Sequence, residues 1–581
     1  MIARFCIGPR ALLALSLLIG AVDLAWAQTG SMSIAGMVQD SSSLPLPGAT
    51  VTVLNEITQS TRATITNSAG LYEIPFLASS RYTVRAEYPG FATSVSKGIL
   101  LEIHPIARLD FQLKPASIAT EVEVEANSLP LTFDSPVAGR SIPRKEIEAV
   151  PLAGRDFASL QILSPGVQPA GNVGGFAGRE LSEGFRVAGG TMYTGSFSVE
   201  LADNNRTYYY GNATSPSLEI IQEIHIQTAP GSSDYRAGPY EVDVSLRGGG
   251  DRYHGSLFEY LQHDWMNAGN AMSGASPSHF RRSQYGGSIS GPLRKNRLFL
   301  FAVYEGILQR GGEPSSVQVA TPDQRNGIFP LTGGDAITIK DPLTGKPFAG
   351  NQVPQSRFSP MARYFLDNVW PMPNWGTQIY RENSIPMVDS DQFHVKTDFI
   401  RDRSNDFSLH VSRQKLTFKE DISKWLLSPR KDRFDNLLCS LRYTRIFGAG
   451  MVNSLLLAAR RDTNTGSPVS DAVEGGSFAE RIGMTLGGPT GSGFPLIQIS
   501  GKGFSGRTGQ LNVPTEHSGD TLQLQDTLQW MTGRHRLSLG FEIKRFQNQE
   551  RDDGSSVGQF SFNGRYSGSG LADFYLGFRH A

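Results

Sequence analysis

The sequence predicts a mainly β protein that is exported from the cytoplasm, and three observations support this. Of the 581 residues, 63 are glycine, 10% are aromatic and only 19% are charged, a composition typical of strands joined by many turns. Long segments after residue 253 alternate apolar and polar side chains, which is the period of a β-strand. The chain also begins with a leader of the secretory type.

The leader comprises residues 1–27. A cationic start precedes an apolar run at residues 11–22, and Ala25 and Ala27 then place small side chains before Gln28. This order predicts a signal peptide that is cleaved between Ala27 and Gln28. The apolar run is shorter than the about 20 residues of a membrane-spanning helix, which disfavours an uncleaved anchor.

Charge and motif content exclude several classes of function. Lys plus Arg (54) equals Asp plus Glu (54), so no field of one sign favours a nucleic-acid partner. Of the two cysteines, Cys6 leaves with the leader, so the mature chain has no internal disulfide. No H-E-x-x-H or G-x-S-x-G motif is present, and the ten histidines are scattered. We therefore predict no enzyme activity, no catalytic residues, no bound metal and no cofactor.

Residues 28–115 predict a small β-sandwich, because short alternating strands recur between turn signals. Three glycine-containing steps mark a turn and the start of the segment after it: Pro47-Gly48-Ala49, Gly70-Leu71-Tyr72 and Gly90-Phe91. On these steps the segment resembles the carboxypeptidase regulatory-like (prealbumin-like) domain, which has a carbohydrate-binding-like fold. The resemblance implies a structural or ligand-binding module without a catalytic zinc.

Residues 116–141 form a polar connector that contains one strictly alternating stretch. Such a strand can pair with a partner at an exposed sheet edge, and an ordinary linker strand is the alternative. The stretch consists of Thr120, Glu121, Val122, Glu123, Val124, Glu125 and Ala126.

Residues 142–247 predict a mixed α/β segment. A short helix is expected at residues 142–150, because Pro143 lies near its start and Pro151 just beyond its end. Residues 216–224 are expected to begin as a helix and to lead into a strand. Further strands are expected at residues 185–188, 196–202 and 240–246.

Residues 248–581 predict part of an antiparallel transmembrane β-barrel. Residues 521–530 place leucines and Trp530 on one face and threonines and glutamines on the other, and residues 406–412 and 536–546 alternate similarly. Strands of about 9–11 residues cross a hydrocarbon core at the tilt of a barrel. A soluble sandwich or solenoid alternates in the same way and is the alternative.

Seven ordered motifs give the chain a resemblance to the Oar-like TonB-dependent transporters. They include the junction SLRGGGDRYHGSLFEY at residues 245–260 and GSISGPLRKNRLFLFAVYEG at residues 287–306, and the others lie at residues 152–167, 202–205, 216–223, 341–374 and 572–577. The resemblance implies a plug at residues 142–247 inside a 22-stranded outer-membrane barrel, with a periplasmic N-terminal domain. It also implies that TonB of the inner-membrane energising complex grips residues 120–126.

The implied function is uptake or passage of a large substrate, such as an oligosaccharide, peptide, protein or metal chelate, through a barrel embedded in outer-membrane lipid. Long loops at residues 310–391 and 463–514 are expected to set specificity. Candidate substrate contacts in the plug are Asp203, Asn204, Asn205, Tyr208, Tyr209 and Tyr210, for which a hydrogen-bonded turn and packing against the wall are the alternatives.

Two departures from the family pattern bear on these expectations. The plug run at residues 201–205 lacks the glycine that usually precedes the asparagine pair. Only about ten strands are recognisable after residue 253, so the chain is expected to be the N-terminal part of a barrel that alone forms no stable pore. A non-transporting adhesion module, a carbohydrate- or protein-binding module, or a non-functional fragment is the alternative function.

Overall fold

The computed structural model describes residues 32–101, 106–116, 121–125, 139–169, 185–187, 195–207, 212–228, 240–268, 279–311, 313–419, 430–447, 450–468, 496–501, 504–508, 515–533, 535–552 and 559–578. These residues build a β-sandwich, a mixed plug and a large antiparallel sheet, which confirms the mainly β fold class. The predicted signal peptide and its cleavage site, Ala27 and Gln28, lie outside the described residues. None of the described helices is both long enough and apolar enough to cross a membrane.

The sandwich consists of two sheets around one apolar core. In one, β1 pairs antiparallel with β4 and parallel with β7 and β8; the other has the order β3-β2-β5-β6-β9. Val51, Val53 and Val84 are buried and alternate with partly exposed neighbours, as predicted. The strands are β1 (Ser33–Asp40), β2 (Thr50–Asn55), β3 (Thr61–Ile65), β4 (Leu71–Ile74), β5 (Ser80–Glu87), β6 (Thr93–Leu101), β7 (Ile106–Arg108), β8 (Phe111–Leu113) and β9 (Glu121–Glu125).

Gly70 shows why the predicted turns require glycine. Its φ is +71°, and a Cβ at this position would lie 2.7 Å from the Val38 carbonyl oxygen and 2.8 Å from the Pro45 Cβ. The backbone of the turn before β4 therefore packs directly on β1.

Strand β9 is the edge of the second sandwich sheet. It pairs in parallel with β6, with Thr93 opposite Glu121 and Lys97 opposite Glu125. This strand is the central part of the alternating stretch predicted in the connector, whereas Thr120 and Ala126 lie outside the described residues.

The plug contains a five-stranded sheet of order β10-β15-β16-β13-β14 and a separate pair, β11-β12. Its core holds Ile221, Ile224, Ile226 and Val242, all fully buried. The elements are β10 (Gly139–Pro143), helix α1 (Arg144–Ala149), 3-10 turns at Ala153–Arg155 and Phe157–Leu163, β11 (Val167–Pro169), β12 (Phe185–Val187), β13 (Gly195–Val199), β14 (Ala202–Asp203), β15 (Ile221–Gln227) and β16 (Tyr240–Leu246).

Two plug elements differ from the sequence prediction. The helix expected at residues 142–150 begins only at Arg144, because Pro143 closes strand β10, which pairs with β15. No helix forms at residues 216–224: a turn leads straight into β15, whose isoleucines enter the plug core.

The chain from residue 254 onward contains a nine-stranded antiparallel sheet of order β17-β18-β19-β22-β23-β24-β25-β28-β29. Strand β17 has 10 residues, as predicted, whereas the other eight have 14 to 18, longer than the predicted 9–11, because their ends continue into polar segments. In chain order the strands are β17 (His254–His263), β18 (Phe280–Arg294), β19 (Leu298–Gly311), β20 (Glu313–Gln318), β21 (Ile379–Ser384), β22 (Met387–Asp402), β23 (Asn405–Lys419), β24 (Arg430–Ile446), β25 (Met451–Pro468), β26 (Leu496–Ile499), β27 (Gly506–Thr508), β28 (Thr515–Thr532), β29 (His535–Asp552) and β30 (Gln559–Phe562).

The large sheet has a short-turn end and a long-loop end. Residues 295–297, 403–404, 447–450 and 533–534 join neighbouring strands at the short-turn end, whereas much longer connections lie at the other end. In the part of the chain that the structure describes, β17 and β29 each pair on one side only.

The outward face of the sheet carries an apolar belt, which we define on the face opposite the plug. On β24 it runs from Tyr443 to Leu437, and on β23 from Phe407 to Val411. Near the short-turn end, Phe407 stacks on Phe399 and Tyr443 with ring centroids 6.1 and 4.6 Å apart. Apolar side chains edged by aromatic rings are typical of a strand surface that faces lipid.

The long connections fold into a separate cluster, the loop cap, at the long-loop end. Its core holds Phe365, Trp370, Phe574 and Tyr575, and the Phe365 and Phe574 rings meet edge to face with centroids 5.8 Å apart. Besides β26, β27 and β30, the connections contain helices α2 (Pro322–Arg325), α3 (Pro360–Tyr364) and α4 (Gly570–Leu576), 3-10 turns at Asp264–Met266, Ala349–Asn351 and Gln355–Arg357, and a π turn at Phe365–Val369.

Candidate functional site

The candidate site is the interface between the plug and the inward face of the large sheet. Its central contact is Glu200, which follows plug strand β13 and is only 7% exposed in its side chain. The Glu200 carboxylate accepts hydrogen bonds from Lys396 Nζ at 2.8 Å and from Arg442 Nη2 at 3.1 Å. It also accepts one from the Leu246 backbone N–H at 2.7 Å. One plug carboxylate is thus held by two cationic side chains of the large sheet, which we call the wall.

The environment of Glu200 favours its ionised form. Burial by itself raises the pKa of this carboxyl group, but the charges of Lys396 and Arg442 and the hydrogen bonds outweigh it and lower the pKa to about 2. The Lys396 side chain is also only 7% exposed. The buried ammonium group of Lys396 and the buried carboxylate of Glu200 therefore each need the other as a counter-ion.

A second anchor joins the plug to strands β28 and β29. Lys544 Nζ lies 2.9 Å from Asp203 Oδ2, and the Asp203 backbone N–H donates to Gln523 Oε1 at 2.8 Å. Gln523 Nε2 in turn donates to the Leu201 carbonyl at 3.1 Å and to Glu542 Oε1 at 2.8 Å. The Gln523 side chain therefore both accepts a hydrogen bond from the plug and donates one to it, while it also binds Glu542 of the wall.

A third group of contacts lies on strands β19, β22 and β23. Ser217 Oγ of the plug donates to Glu305 Oε2 at 2.8 Å, and Gln392 Nε2 donates to the other oxygen of Glu305 at 2.5 Å. The Ser215 backbone N–H donates to Gln414 Oε1 at 3.1 Å. Amide and carboxylate side chains of the wall thus satisfy the polar groups of the plug.

The interface is polar over most of its described extent. Apolar wall residues that join the plug core are confined to Phe301, Val303, Leu438 and the partly buried Ala458. The stacked rings of His394 and His410 also face inward, and the His410 nitrogens have no hydrogen-bond partner among the described residues. A polar interface of this kind can exchange its hydrogen bonds for water, since the net contribution is about 0.5–1.5 kcal/mol for each neutral bond and about 1.5–3 kcal/mol for each bond to a charged group.

The sandwich lies against the short-turn end, and together with the plug and the wall it lines a partly open cavity of about 530 Å³. Arg62 forms an ion pair with Asp406 beside one short turn, and Asn67 Nδ2 donates to the Gly533 carbonyl of another at 2.6 Å. Toward the plug, Ser79 Oγ donates to Glu223 Oε2 at 2.9 Å. The sandwich therefore covers the end of the plug that faces away from the loop cap.

The structure places the sequence-predicted plug residues in different surroundings. Asp203 and Asn204 are buried, and Asn204 binds Thr214 through both its carbonyl oxygen and its amide nitrogen. Asn205 Oδ1 accepts from the Phe197 backbone N–H at 2.9 Å. These bonds give the run a structural role, and contact with substrate stays a prediction. Tyr208, Tyr209 and Tyr210 lie outside the described residues.

Sequence reasoning did not identify Glu200, Lys396, Arg442 or Lys544. The alternating pattern predicts that Lys396 and Arg442 occupy one face of their strands, but nothing in a single sequence pairs them with a residue about 200 positions away. Among the described residues, no three His, Cys, Asp or Glu side chains are grouped so as to hold a metal ion.

Comparisons with known proteins agree with this architecture. A profile of the outer membrane beta barrel domain matches residues 245–581, and one of the carboxypeptidase regulatory-like domain matches residues 33–114. The chain is similar to the TonB-dependent transporter Oar of Myxococcus xanthus, with 25% identity over 334 residues that cover 54% of this chain and 30% of Oar. The motif-based resemblance is thereby confirmed.

Two solved structures with low sequence identity are also similar. The outer membrane transporter YddB from Escherichia coli has 8% identity and a TM-score of 0.45, over 74% of this chain and 52% of YddB. The siderophore receptor PirA from Acinetobacter baumannii has 11% identity and a TM-score of 0.41, over 72% of this chain and 49% of PirA. The chain spans about half the length of these structures and 30% of the length of Oar.

Proposed function

The chain belongs to the outer membrane β-barrel family, and on that premise we propose that it acts as a non-enzymatic, TonB-dependent receptor. The family match locates it in the outer membrane. Short turns of such barrels face the periplasm and long loops face outward, so the sandwich is periplasmic and the loop cap extracellular. The substrate is proposed to be large and to pass between plug and wall.

The observation that carries the proposal is the polar attachment of an independently packed plug. The plug has its own apolar core, which Phe301, Val303, Leu438 and Ala458 of the wall extend, whereas its other described wall contacts are mainly ion pairs and hydrogen bonds such as Glu200–Lys396 and Asp203–Lys544. The polar contacts can be released into water, and the exposed part of the plug core is then the part that packs on those four wall residues. A pull from the periplasm can therefore shift the plug as a body.

The proposed point of attachment for TonB is strand β9. Within the described residues it pairs only with β6, so its other edge offers backbone donors and acceptors to an incoming strand. In the sequence, residues 126–138 connect β9 to plug strand β10. A force on β9 would first separate its five paired residues from β6 and then act on the plug.

The proposal is tested by disulfide capture of TonB in cells. In a Cys439→Ser background, Val122→Cys on β9 is expected to form a disulfide with a cysteine-substituted TonB. A matched control, Ala63→Cys, lies on β3 at the opposite edge of the same sheet and is expected to give no cross-link. Equal cross-linking at both positions, or none at Val122→Cys, would refute the proposed partner.

A non-transporting adhesion module is the second candidate, and the folded loop cap supports it. Leu343 and Trp375 of the cap are 74% and 54% exposed, so apolar side chains are available there to a partner at the cell surface. This candidate predicts that cell-surface binding persists when residues 120–126 are deleted, whereas the transport proposal predicts loss of uptake.

A further inference from the structure

The partly open cavity between the sandwich, the plug and the wall is large enough for a small ligand. Its volume of about 530 Å³ lies within the range of about 300–1,000 Å³ that is typical of ligand pockets. The sandwich contributes apolar side chains to it, among them Val53, Phe76 and Leu77, and the wall contributes the polar Asp398 and Ser408. An apolar surface that faces a few polar groups is the usual composition of a ligand pocket.

The lysine and arginine side chains that line the cavity each have an acceptor within the described residues. They are Arg62, Arg247, Lys396 and Arg442. Lys396 and Arg442 bind Glu200, and Arg62 pairs with Asp406. Arg247 Nη1 donates to the Glu219 carbonyl at 3.1 Å. The cavity therefore offers no free cation to an anionic ligand.

Asp398 on β22 differs from the other carboxylates of the cavity. It is partly buried and has no hydrogen-bond or ion-pair partner among the described residues. By contrast, Asp402 accepts from the Ser404 backbone N–H at 2.9 Å, and Asp243 accepts from the Ser198 hydroxyl at 2.5 Å. A carboxylate that is withdrawn from water needs a positive charge or hydrogen-bond donors as compensation. Asp398 is thus the group that a ligand can satisfy.

Gly248, at the junction of plug and wall, leaves the Asp398 carboxylate uncovered. A Cβ at position 248 would lie 2.7 Å from Asp398 Oδ2, whereas the φ of Gly248 is not in the left-handed region. The backbone conformation therefore does not require glycine here. What glycine provides is open space beside the carboxylate.

Two bulky residues that line the cavity have strained backbones. Phe76 and Leu201 have φ values of +56° and +66°, a region that bulky side chains rarely occupy. Each is held in place, because Arg62 Nη1 donates to the Phe76 carbonyl at 2.9 Å and the Leu201 N–H donates to Asp243 Oδ1 at 3.2 Å. Strain that the surrounding structure maintains is concentrated at ligand-binding sites.

We propose that the cavity binds a small organic cation that consists of a primary ammonium group on an apolar body. An ammonium group has three hydrogens to donate, and Ser408 lies directly opposite Asp398 on β23, so both side chains can accept from it. The apolar body would lie on Phe76 and Leu77 of the sandwich. The periplasmic location of the site rests on the proposed function, but binding does not require TonB, so the cross-linking experiment above can fail without affecting this test.

The test measures the binding of probes that share one apolar body, with the full chain in mild detergent. Phenethylamine carries an ammonium group, phenethyl alcohol a hydroxyl group and hydrocinnamate a carboxylate. Maltose is the fourth probe and represents a neutral sugar. Each probe is titrated by calorimetry at low ionic strength, where salt screens a charge contact least.

Two variants change the charge of the cavity, and a third is the control. D398N keeps the shape of the side chain and removes its charge. S408K places an ammonium group of the protein opposite Asp398, where it can occupy the carboxylate. The matched control, D335N, removes an exposed aspartate in the long connection between β20 and β21.

The wild type is expected to bind phenethylamine with a dissociation constant of about 1 mM or below, and at least about tenfold more tightly than the other probes. D398N should lose about tenfold or more of this affinity, S408K should lose at least as much, and D335N should change it by less than about twofold. Phenethyl alcohol should bind D398N and the wild type equally, which shows that the variant is folded. Equal binding of the amine and the alcohol, an unchanged amine affinity in D398N or S408K, or tighter binding of maltose would overturn the proposal.

Discussion

Replacement of Glu200 by glutamine tests whether the plug is held by charge. The substitution keeps the shape of the side chain but leaves Lys396, 7% exposed, without its counter-ion. Breaking a buried ion pair costs about 3–5 kcal/mol, and Arg442, which is 28% exposed, can turn to water and reduce this loss. The lowered pKa gives a similar magnitude: a shift from 4.5 to about 2 corresponds to about 3 kcal/mol.

The pH dependence of the same variant has a defined sign. Because the folded-state pKa of Glu200 is lowered, its stabilisation is fully present above the unfolded pKa near 4.5 and is lost as the pH falls through about 2. We therefore expect the wild-type plug to weaken between these pH values and E200Q to lack that transition. Other carboxylates contribute a background that is common to both proteins.

The assay is hydrogen exchange of the backbone amides of Asp203 and Ser215, which donate to side chains of the wall and so report the free energy of releasing the plug from it. E200Q is expected to lower that free energy by about 3 kcal/mol at neutral pH, with a coupling to Lys396→Met that a double-mutant cycle measures. Glu87→Gln serves as the control, because its pair with Arg85 is half exposed and contributes at most about 1 kcal/mol. An E200Q protein with unchanged protection, or effects of E200Q and K396M that simply add, would refute the reasoning.

Three further predictions concern the sandwich and the loop cap. Gly70→Ala should destabilise the sandwich by about 2 kcal/mol or more in thermal unfolding, whereas Gly48→Ala, with open space around its Cβ position, should cost only about 1 kcal/mol. Phe574→Ala should cost about 3–5 kcal/mol in the fully buried core of the loop cap and increase proteolysis of that cap; unchanged proteolysis would contradict the packing described. Arg62→Glu should release the sandwich from the short-turn end and speed its removal by protease, and Asp406→Arg in the same chain should restore protection; failure of this charge reversal would exclude the contact.

Patterns that arise within one strand were predictable from the sequence. The alternation of Leu522, Leu524, Leu528 and Trp530 with glutamines predicted two faces for β28, and over residues 521–530 the structure confirms an inward polar face and an outward face that is apolar except for Asp526. The Pro-Gly steps of the sandwich were predictable for the same reason, because a turn needs only its own residues.

Features that depend on contacts between distant segments were not predictable. The isoleucines of β15 fit a helix or a strand by periodicity, and only pairing with β10 and β16 decides for a strand. Glu200 lies in a plug turn and forms ion pairs with Lys396 and Arg442 of the wall. No local sequence pattern at these three positions predicts that they are in contact.

The plug core, the contacts between plug and wall, and the pairing of β9 with β6 are of different kinds. This difference predicts the order in which they break when β9 is pulled. The plug core buries apolar side chains such as Ile224 and Val242, whose exposure costs about 1.5–3 kcal/mol for each side chain. Apart from Phe301, Val303, Leu438 and Ala458, its described wall contacts are mainly hydrogen bonds and ion pairs. Water can replace these at about 0.5–1.5 kcal/mol for each neutral hydrogen bond and about 1.5–3 kcal/mol for each charged one. The β9–β6 pairing involves only five residues of backbone. We therefore expect β9 to separate first, the plug to leave the wall second, and the plug sheet to unfold last.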